Sequence, residues 1–132
     1  MTSTTSKYVI DSHSWIEYFR GSQTGEKAGK LLESGGCYTP TIVIAELSDW
    51  HVRQQRDFSK RLDFITASST VLGLSSATAS QAGKIKNEVR QKYNNNFGIA
   101  DAIIVAIALE IGAKVATGYY HFKPLKNVEY LG

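Results

Sequence analysis

The sequence predicts an α/β protein whose parallel sheet is covered by helices on both faces. Two observations support this: short runs of β-forming residues alternate with longer amphipathic segments, and glycine or proline follows several of them. The chain has 132 residues, 42% hydrophobic and 20% charged, which fits a single globular domain. We expect residues 1–6 to be a flexible tail and residues 7–132 to form the domain.

The N-terminal part begins with a strand and continues with two helices. The strand is predicted over Lys7–Asp11, because its central residues are strong β-formers. Ser12 is expected to be the N-cap of a helix with apolar residues at helical spacing, which stops at Arg20–Ser22. A second helix is predicted over Glu26–Glu33, because a pair of glycines follows it.

The middle of the chain predicts a strand, two helices and another strand. Cys37–Thr39 is the second strand, and Pro40 ends it. Helices are expected from Thr41 onward and over Arg56–Ile65, since both segments carry apolar residues at helical spacing. The third strand is expected at Thr70–Leu74.

The C-terminal part contains the two longest helical patterns and two further strands. An amphipathic helix is predicted over Ser76–Tyr93, because three asparagines follow and break it. The helix predicted over Ile99–Ile111 is apolar on nearly all sides and should therefore be buried. The fourth and fifth strands are expected at Lys114–Thr117 and Asn127–Leu131.

Composition argues against several classes of protein. The longest apolar run has eight residues, far fewer than the about 20 that a membrane-spanning helix needs, so no membrane association is expected. Cys37 is the only cysteine, which excludes an internal disulfide and predicts a reducing, cytoplasmic setting. The net charge of +3 tolerates a polyanionic partner without requiring one. The loop motifs of serine hydrolases and of nucleotide-binding folds do not occur.

Three acidic residues stand out because their sequence neighbours are apolar. Asp11 ends the first predicted strand, Glu46 lies one turn into the helix after Pro40, and Asp101 begins the most apolar helix. A carboxylate near a core is costly unless it is paired or binds a metal. Ligands of open parallel sheets bind where strands end, and oxygen ligands without His or Cys suit Mg²⁺ or Mn²⁺. Such an ion serves phosphodiester hydrolysis, because it neutralises the phosphate and activates a water.

Each of these acids also has a structural explanation when it is taken alone. Asp11 could be a helix N-cap, Asp101 a first-turn acid favoured by the helix dipole, and Glu46 the partner of an arginine. The three together favour a site, since each is placed at the expected edge of the sheet.

The acids lie within five segments that follow one another along Tyr8–Leu131. They are V-I-D-S-H-S-W-I-E-Y-F, T-I-V-I-A-E-L, F-G-I-A-D-A-I-I-V-A-I-A, A-T-G-Y-Y-H-F-K-P-L and N-V-E-Y-L. In this order and spacing they resemble the PIN-domain ribonucleases, in particular the VapC-type toxins of prokaryotic toxin–antitoxin pairs. The resemblance implies a three-layer α/β/α sandwich with a central, mainly parallel sheet. It also implies a divalent-metal site and endonucleolytic cleavage of RNA.

The resemblance also assigns roles to individual residues. It implies catalytic and metal-binding roles, with Mg²⁺ or Mn²⁺, for three acids, namely Asp11, Glu46 and Asp101. Ser12 and Thr117 match small hydroxyl positions that support the site. Tyr119 stands where the family commonly has a fourth acid, and a neutral phenol is a poor ligand for Mg²⁺. Apart from the resemblance, His13 is a candidate general acid or phosphate contact, or else a surface residue in the first turn of a helix. His121 could donate to a phosphate or pack near a loop.

The resemblance further implies three partners: an RNA substrate, a VapB-type antitoxin and a second copy of the chain in a homodimer. One alternative is a degenerate PIN domain that binds RNA or protein without cutting, because Tyr119 replaces the usual acid. Another is a phospho-receiver domain, which normally needs an adjacent acid pair after its first strand. Asp11 is followed by Ser-His-Ser, which disfavours that alternative.

Overall fold

The computed structural model describes residues 6–132, so residues 1–5 of the predicted flexible tail lie outside the described residues. Five strands form one parallel sheet in the order β3-β2-β1-β4-β5. The strands are β1 (Tyr8–Ile10), β2 (Cys37–Pro40), β3 (Thr70–Leu72), β4 (Lys114–Thr117) and β5 (Val128–Tyr130). The helices are α1 (Ser12–Arg20), α2 (Gln23–Ser34), α3 (Thr41–Arg53), α4 (Ser59–Ser68), α5 (Ser76–Tyr93) and α6 (Ile99–Ile111).

The connections distribute the helices over both faces of the sheet. The chain runs outward from β1 through β2 to β3 and then returns to add β4 and β5 on the other side of β1. Because such parallel crossovers are right-handed, α1–α4 and α5–α6 cover opposite faces. Helices α5 and α6 pack against each other, as do α1 and α2. The predicted three-layer α/β/α sandwich with a parallel sheet is therefore confirmed.

Strand order reverses between β1 and β4, which makes their carboxyl ends the expected ligand crevice. Helix α1 is held against this region by two buried side-chain contacts. The Trp15 indole donates to the Thr39 hydroxyl at 3.1 Å, and the Ser14 hydroxyl donates to the Ala116 carbonyl at 2.9 Å. The residues that follow β1 are thus fixed to β2 and β4.

The element boundaries differ from the sequence prediction at a few places. Helix α4 begins at Ser59 rather than Arg56, because Asp57 accepts hydrogen bonds from the Ser59 backbone and hydroxyl and forms a local turn. Strand β3 ends at Leu72 rather than Leu74, since its partner β2 ends at the pairing of Pro40 with Leu72. Helix α6 is buried along most of its length, as predicted. Within residues 6–132, no helix is both long and apolar enough to cross a membrane.

Candidate metal centre

A cavity of about 330 Å³ opens at the reversal of strand order. It is lined by residues from α1, α3, α6 and the loop after β4, namely Asp11, Ser12, His13, Ile16, Glu46, Asp101, Ile104 and Tyr119. The structure thus brings together the three predicted acids, although 90 positions separate the first from the last. Ser12 and Tyr119 also line this cavity, and Thr117 contacts it through Asp11.

Asp11 is buried directly after β1, and its carboxylate accepts hydrogen bonds from Ser14 and Thr117. One oxygen accepts a hydrogen bond from the Ser14 backbone at 2.8 Å, so Asp11 is the N-cap of α1. The prediction that Ser12 caps this helix is therefore wrong, because the side chain that reaches the free N–H belongs to the preceding residue. Burial raises the pKa of Asp11, and hydrogen bonding by Thr117 and Ser14 acts against that rise.

Glu46 lies on α3 with its carboxylate directed at the same cavity. One oxygen, Oε1, is buried and has no hydrogen-bond partner among residues 6–132. Burial raises the pKa of Glu46, the Ser12 hydroxyl lowers it, and the charges of Asp101 and Asp11 raise it again. A buried anionic oxygen that faces two further carboxylates is the environment that a cation would relieve.

Asp101 is the third residue of α6 and accepts a hydrogen bond from the Gly98 backbone at 3.0 Å. The helix dipole favours a negative charge at this position. Burial raises the pKa of Asp101, while the Gly98 hydrogen bond and the charge of His121 lower it. The carboxylate is therefore held in place by backbone on one side and open to the cavity on the other.

The fit of this cavity to a divalent ion depends on the chemistry of its oxygen donors. In the described chain, no three His, Cys, Asp or Glu side chains are already arranged as a metal site. The two ion pairs between residues 6 and 132 use Glu17 and Asp49, and no Lys or Arg lines the cavity. Three carboxylates without a Lys or Arg partner among these residues, one of them with an unsatisfied oxygen, fit a hard dication.

Three other residues of the site have roles that the sequence left open or missed. His13 lines the cavity, and its Nδ1 atom is buried with no hydrogen-bond partner among residues 6–132, so it is not a plain surface residue. Ile16 and Ile104 form an apolar wall. The sequence could have indicated both isoleucines. Ile16 shares a helix face with Ser12, and Ile104 shares one with Asp101, because residues three or four apart lie on the same face.

Tyr119 is 37% exposed and lines the cavity beside the acids. Burial, followed by the charges of Asp101 and Tyr120, raises the pKa of its phenol, so the group is neutral at physiological pH. Its backbone N–H donates to the Thr117 hydroxyl at 2.9 Å. The position therefore contributes an uncharged ring where an acid was expected.

The raised pKa values predict that Glu46→Gln stabilises the metal-free protein. Groups whose folded-state pKa is raised contribute stability at low pH that is lost as the pH rises through the folded value. At about pH 7, the melting temperature of the variant should therefore be a few degrees above that of the wild type. The difference is small because solvent screens the charge of a half-buried side chain. Thermal unfolding in chelator between about pH 5 and 7 measures this, and the difference should shrink as the pH falls.

The control for this prediction is Glu88→Gln, which removes an exposed glutamate from α5. Its melting temperature should match that of the wild type at each pH. If Glu46→Gln lowers the melting temperature at neutral pH, the ionised Glu46 carboxylate does not destabilise the metal-free protein.

Comparison with known proteins agrees with this geometry. The model of the family described as PIN domain matches residues 8–123. The chain belongs to the PIN domain family. The resemblance predicted from the sequence is thereby confirmed. A comparison of the sequence with curated proteins gives no match.

Solved structures with the same PIN fold include several toxin–antitoxin proteins. DNA-bound VapBC from Salmonella typhimurium matches with a TM-score of 0.73 and 20% identity, over 96% of this chain and 99% of that one. VapBC2 from Rickettsia felis, bound to a promoter DNA fragment, gives 0.71 and 19%, over 93% and 96%. VapC20 from Mycobacterium tuberculosis, a toxin that cleaves the sarcin-ricin loop, gives 0.62 and 16%, over 82% and 85%.

Proposed function

We propose that this PIN domain is a metal-dependent endoribonuclease, which hydrolyses RNA phosphodiester bonds as the toxin of a type II toxin–antitoxin system. The observation that carries the proposal is the convergence of three carboxylates, those of Asp11, Glu46 and Asp101, on one cavity whose lining includes no Lys or Arg from residues 6–132. Membership of the PIN family supports it. So does the likeness in fold to VapC20, which is a toxin that cleaves RNA in the sarcin-ricin loop.

In this mechanism, Asp11, Glu46 and Asp101 would hold Mg²⁺ or Mn²⁺. When bound, the ion supplies charge neutralisation at the scissile phosphate and a lowered pKa for an attacking water. Hydrogen bonding by Thr117 orients the Asp11 carboxylate, and Ser12 does the same for Glu46. The backbone N–H of Gly98 holds Asp101, while the apolar wall keeps bulk water from one side of the cavity.

The test is cleavage of a labelled, structured RNA by the purified chain with Mn²⁺, with Mg²⁺ and with a chelator. We expect discrete fragments with either metal and none with the chelator, because the carboxylates require a cation before they tolerate a phosphate. Cleavage that continues undiminished in chelator would exclude the proposed metal centre.

The degenerate, non-cutting PIN domain is the second candidate. Two observations favour it: Tyr119 lines the cavity in place of an acid, and the described residues form no ready-made metal arrangement. Tight RNA binding without cleavage at any metal concentration would support this candidate over the nuclease.

The partners follow from the same proposal. A VapB-type antitoxin is expected, since the similar structures from Salmonella and Rickettsia are VapBC complexes. A homodimer stays a prediction from the family resemblance. The cytoplasmic setting also stays a prediction, made from the single cysteine. Burial raises the pKa of the Cys37 thiol to about 11, which makes it unreactive.

A further inference from the structure

A second cleft, of about 490 Å³, lies beside the carboxylate cavity and has no role in the proposed metal site. We call it the asparagine cleft, after three of its lining residues, which are Tyr93, Asn94, Asn95, Asn96, Tyr120, His121 and Pro124. One short segment connects the two sites. Tyr119 lines the carboxylate cavity, whereas Tyr120 and His121 line the cleft, and the Tyr119 and His121 rings are centred 4.8 Å apart.

Two tyrosine rings from different elements line the cleft. Tyr120 is 64% exposed, a large fraction for an aromatic side chain, although its ring lies beside those of Tyr119 and His121. Tyr93, at the end of α5, is half-buried, and its hydroxyl donates to the Pro124 carbonyl at 3.5 Å. Rings placed in this way are suited to stacking against a flat, neutral ligand.

The three asparagines add hydrogen-bonding groups at the rim. Asn94 and Asn96 are exposed, and Asn94 has a left-handed backbone with φ of 47° that ends α5. The side-chain oxygen of Asn95 accepts from the Phe97 backbone at 3.0 Å, which fixes this amide and leaves its NH₂ group available. Amides both donate and accept, so they match the edges of nucleobases.

His121 forms part of the cleft wall and supports the exposed tyrosine. Only 9% of His121 is exposed, and its ring centre lies 4.2 Å from that of Tyr120. The histidine therefore backs the Tyr120 ring at the cleft.

We propose that the asparagine cleft binds an unpaired base of the RNA, next to the phosphate that is cleaved. The proposal rests on the proposed function. Between residues 6 and 132 no Lys, Arg, Asp or Glu lines the cleft itself, while the Lys92 Nζ lies 5.3 Å from the centre of the Tyr93 ring, so the exposed Tyr120 ring is the face offered to a base. Its chemistry, aromatic rings with amide edges, is that of sites that read splayed single-stranded bases.

The experiment measures binding of a fluorescent single-stranded RNA trinucleotide to the full chain in chelator, where no cleavage occurs. Three further probes are abasic at one position each, which means that they lack one base but keep the complete backbone. We expect one abasic probe to bind about fivefold more weakly, because it loses base stacking. Tyr120→Ala should bind the complete probe about fivefold more weakly and no longer distinguish that abasic probe, whereas Tyr120→Phe should keep the discrimination.

Leu109→Ala is the matched control, because Leu109 is 56% exposed and lies on α6 away from the cleft. It should bind all the probes as the wild type does. Equal binding of complete and abasic probes by the wild type would overturn the proposal. Unchanged discrimination in Tyr120→Ala would overturn it too.

A parallel cleavage assay separates this inference from the proposed function. If metal-dependent cleavage occurs but Tyr120→Ala leaves the base preference near the cut unchanged, the cleft proposal fails and the nuclease stands. If no RNA is cut but binding depends on one base and on Tyr120, the cleft proposal stands and the non-cutting alternative is favoured.

Discussion

Replacing Asp101 with asparagine is expected to lower the rate of metal-dependent RNA cleavage at least about a hundredfold. Loss of a residue that merely supports a metal ligand often costs 10- to 100-fold, so loss of a ligand charge should cost no less. Asparagine has the same size and can still accept from the Gly98 N–H, so α6 should keep its first turn. Cleavage rates at saturating Mn²⁺ measure the effect, and circular dichroism confirms folding.

Asp11→Asn provides an independent version of this result. Asparagine is as good an N-cap as aspartate, so α1 should stay intact while the cavity loses a charge. The control is Asp63→Asn, which removes an exposed acid from α4 and should cut RNA at the wild-type rate. Activity that survives in both Asp11→Asn and Asp101→Asn would remove these residues from catalysis.

Tyr119→Asp is expected to tighten Mn²⁺ binding at least about tenfold. The change adds a fourth carboxylate to a cavity that already has three, and the attraction between opposite charges a few ångströms apart is worth several kcal/mol near a protein surface. Isothermal titration with the metal alone measures the affinity without any need for catalysis.

Two variants separate the added charge from other effects of this substitution. Tyr119→Asn removes the ring without adding charge and should leave Mn²⁺ affinity near that of the wild type. Tyr120→Asp places the same charge one residue farther along, in a residue that lines the cleft and not the cavity, and should change affinity less. An unchanged affinity in Tyr119→Asp would mean that this position lies outside the metal shell.

Much of the secondary structure could be predicted because its signals are local. Helices α5 and α6 and strand β4 have the predicted bounds, since periodic apolar residues and clear breakers mark both ends. The start of α4 could not be predicted in the same way. The Asp57 turn competes with the helix for the same backbone groups, and the spacing of apolar residues does not reveal that competition.

The candidate site, too, could be predicted from the sequence only in part. The sequence by itself singled out Asp11, Glu46 and Asp101, because an acid among apolar neighbours is unusual wherever it lies. Their convergence on one cavity, with an unsatisfied oxygen on Glu46, comes from strand order and crossover direction, which no local pattern encodes.

The asparagine cleft depends on tertiary structure even more strongly. The sequence showed Asn94–Asn96 only as the end of a helix and left His121 open between two roles. Folding places these residues around one space with Tyr120, although more than twenty positions separate the two segments. Local chemistry therefore determined the helices, the strands and the choice of acids. The chain's path through space decided which side chains face one another, because contacts between distant segments depend on packing of the whole domain.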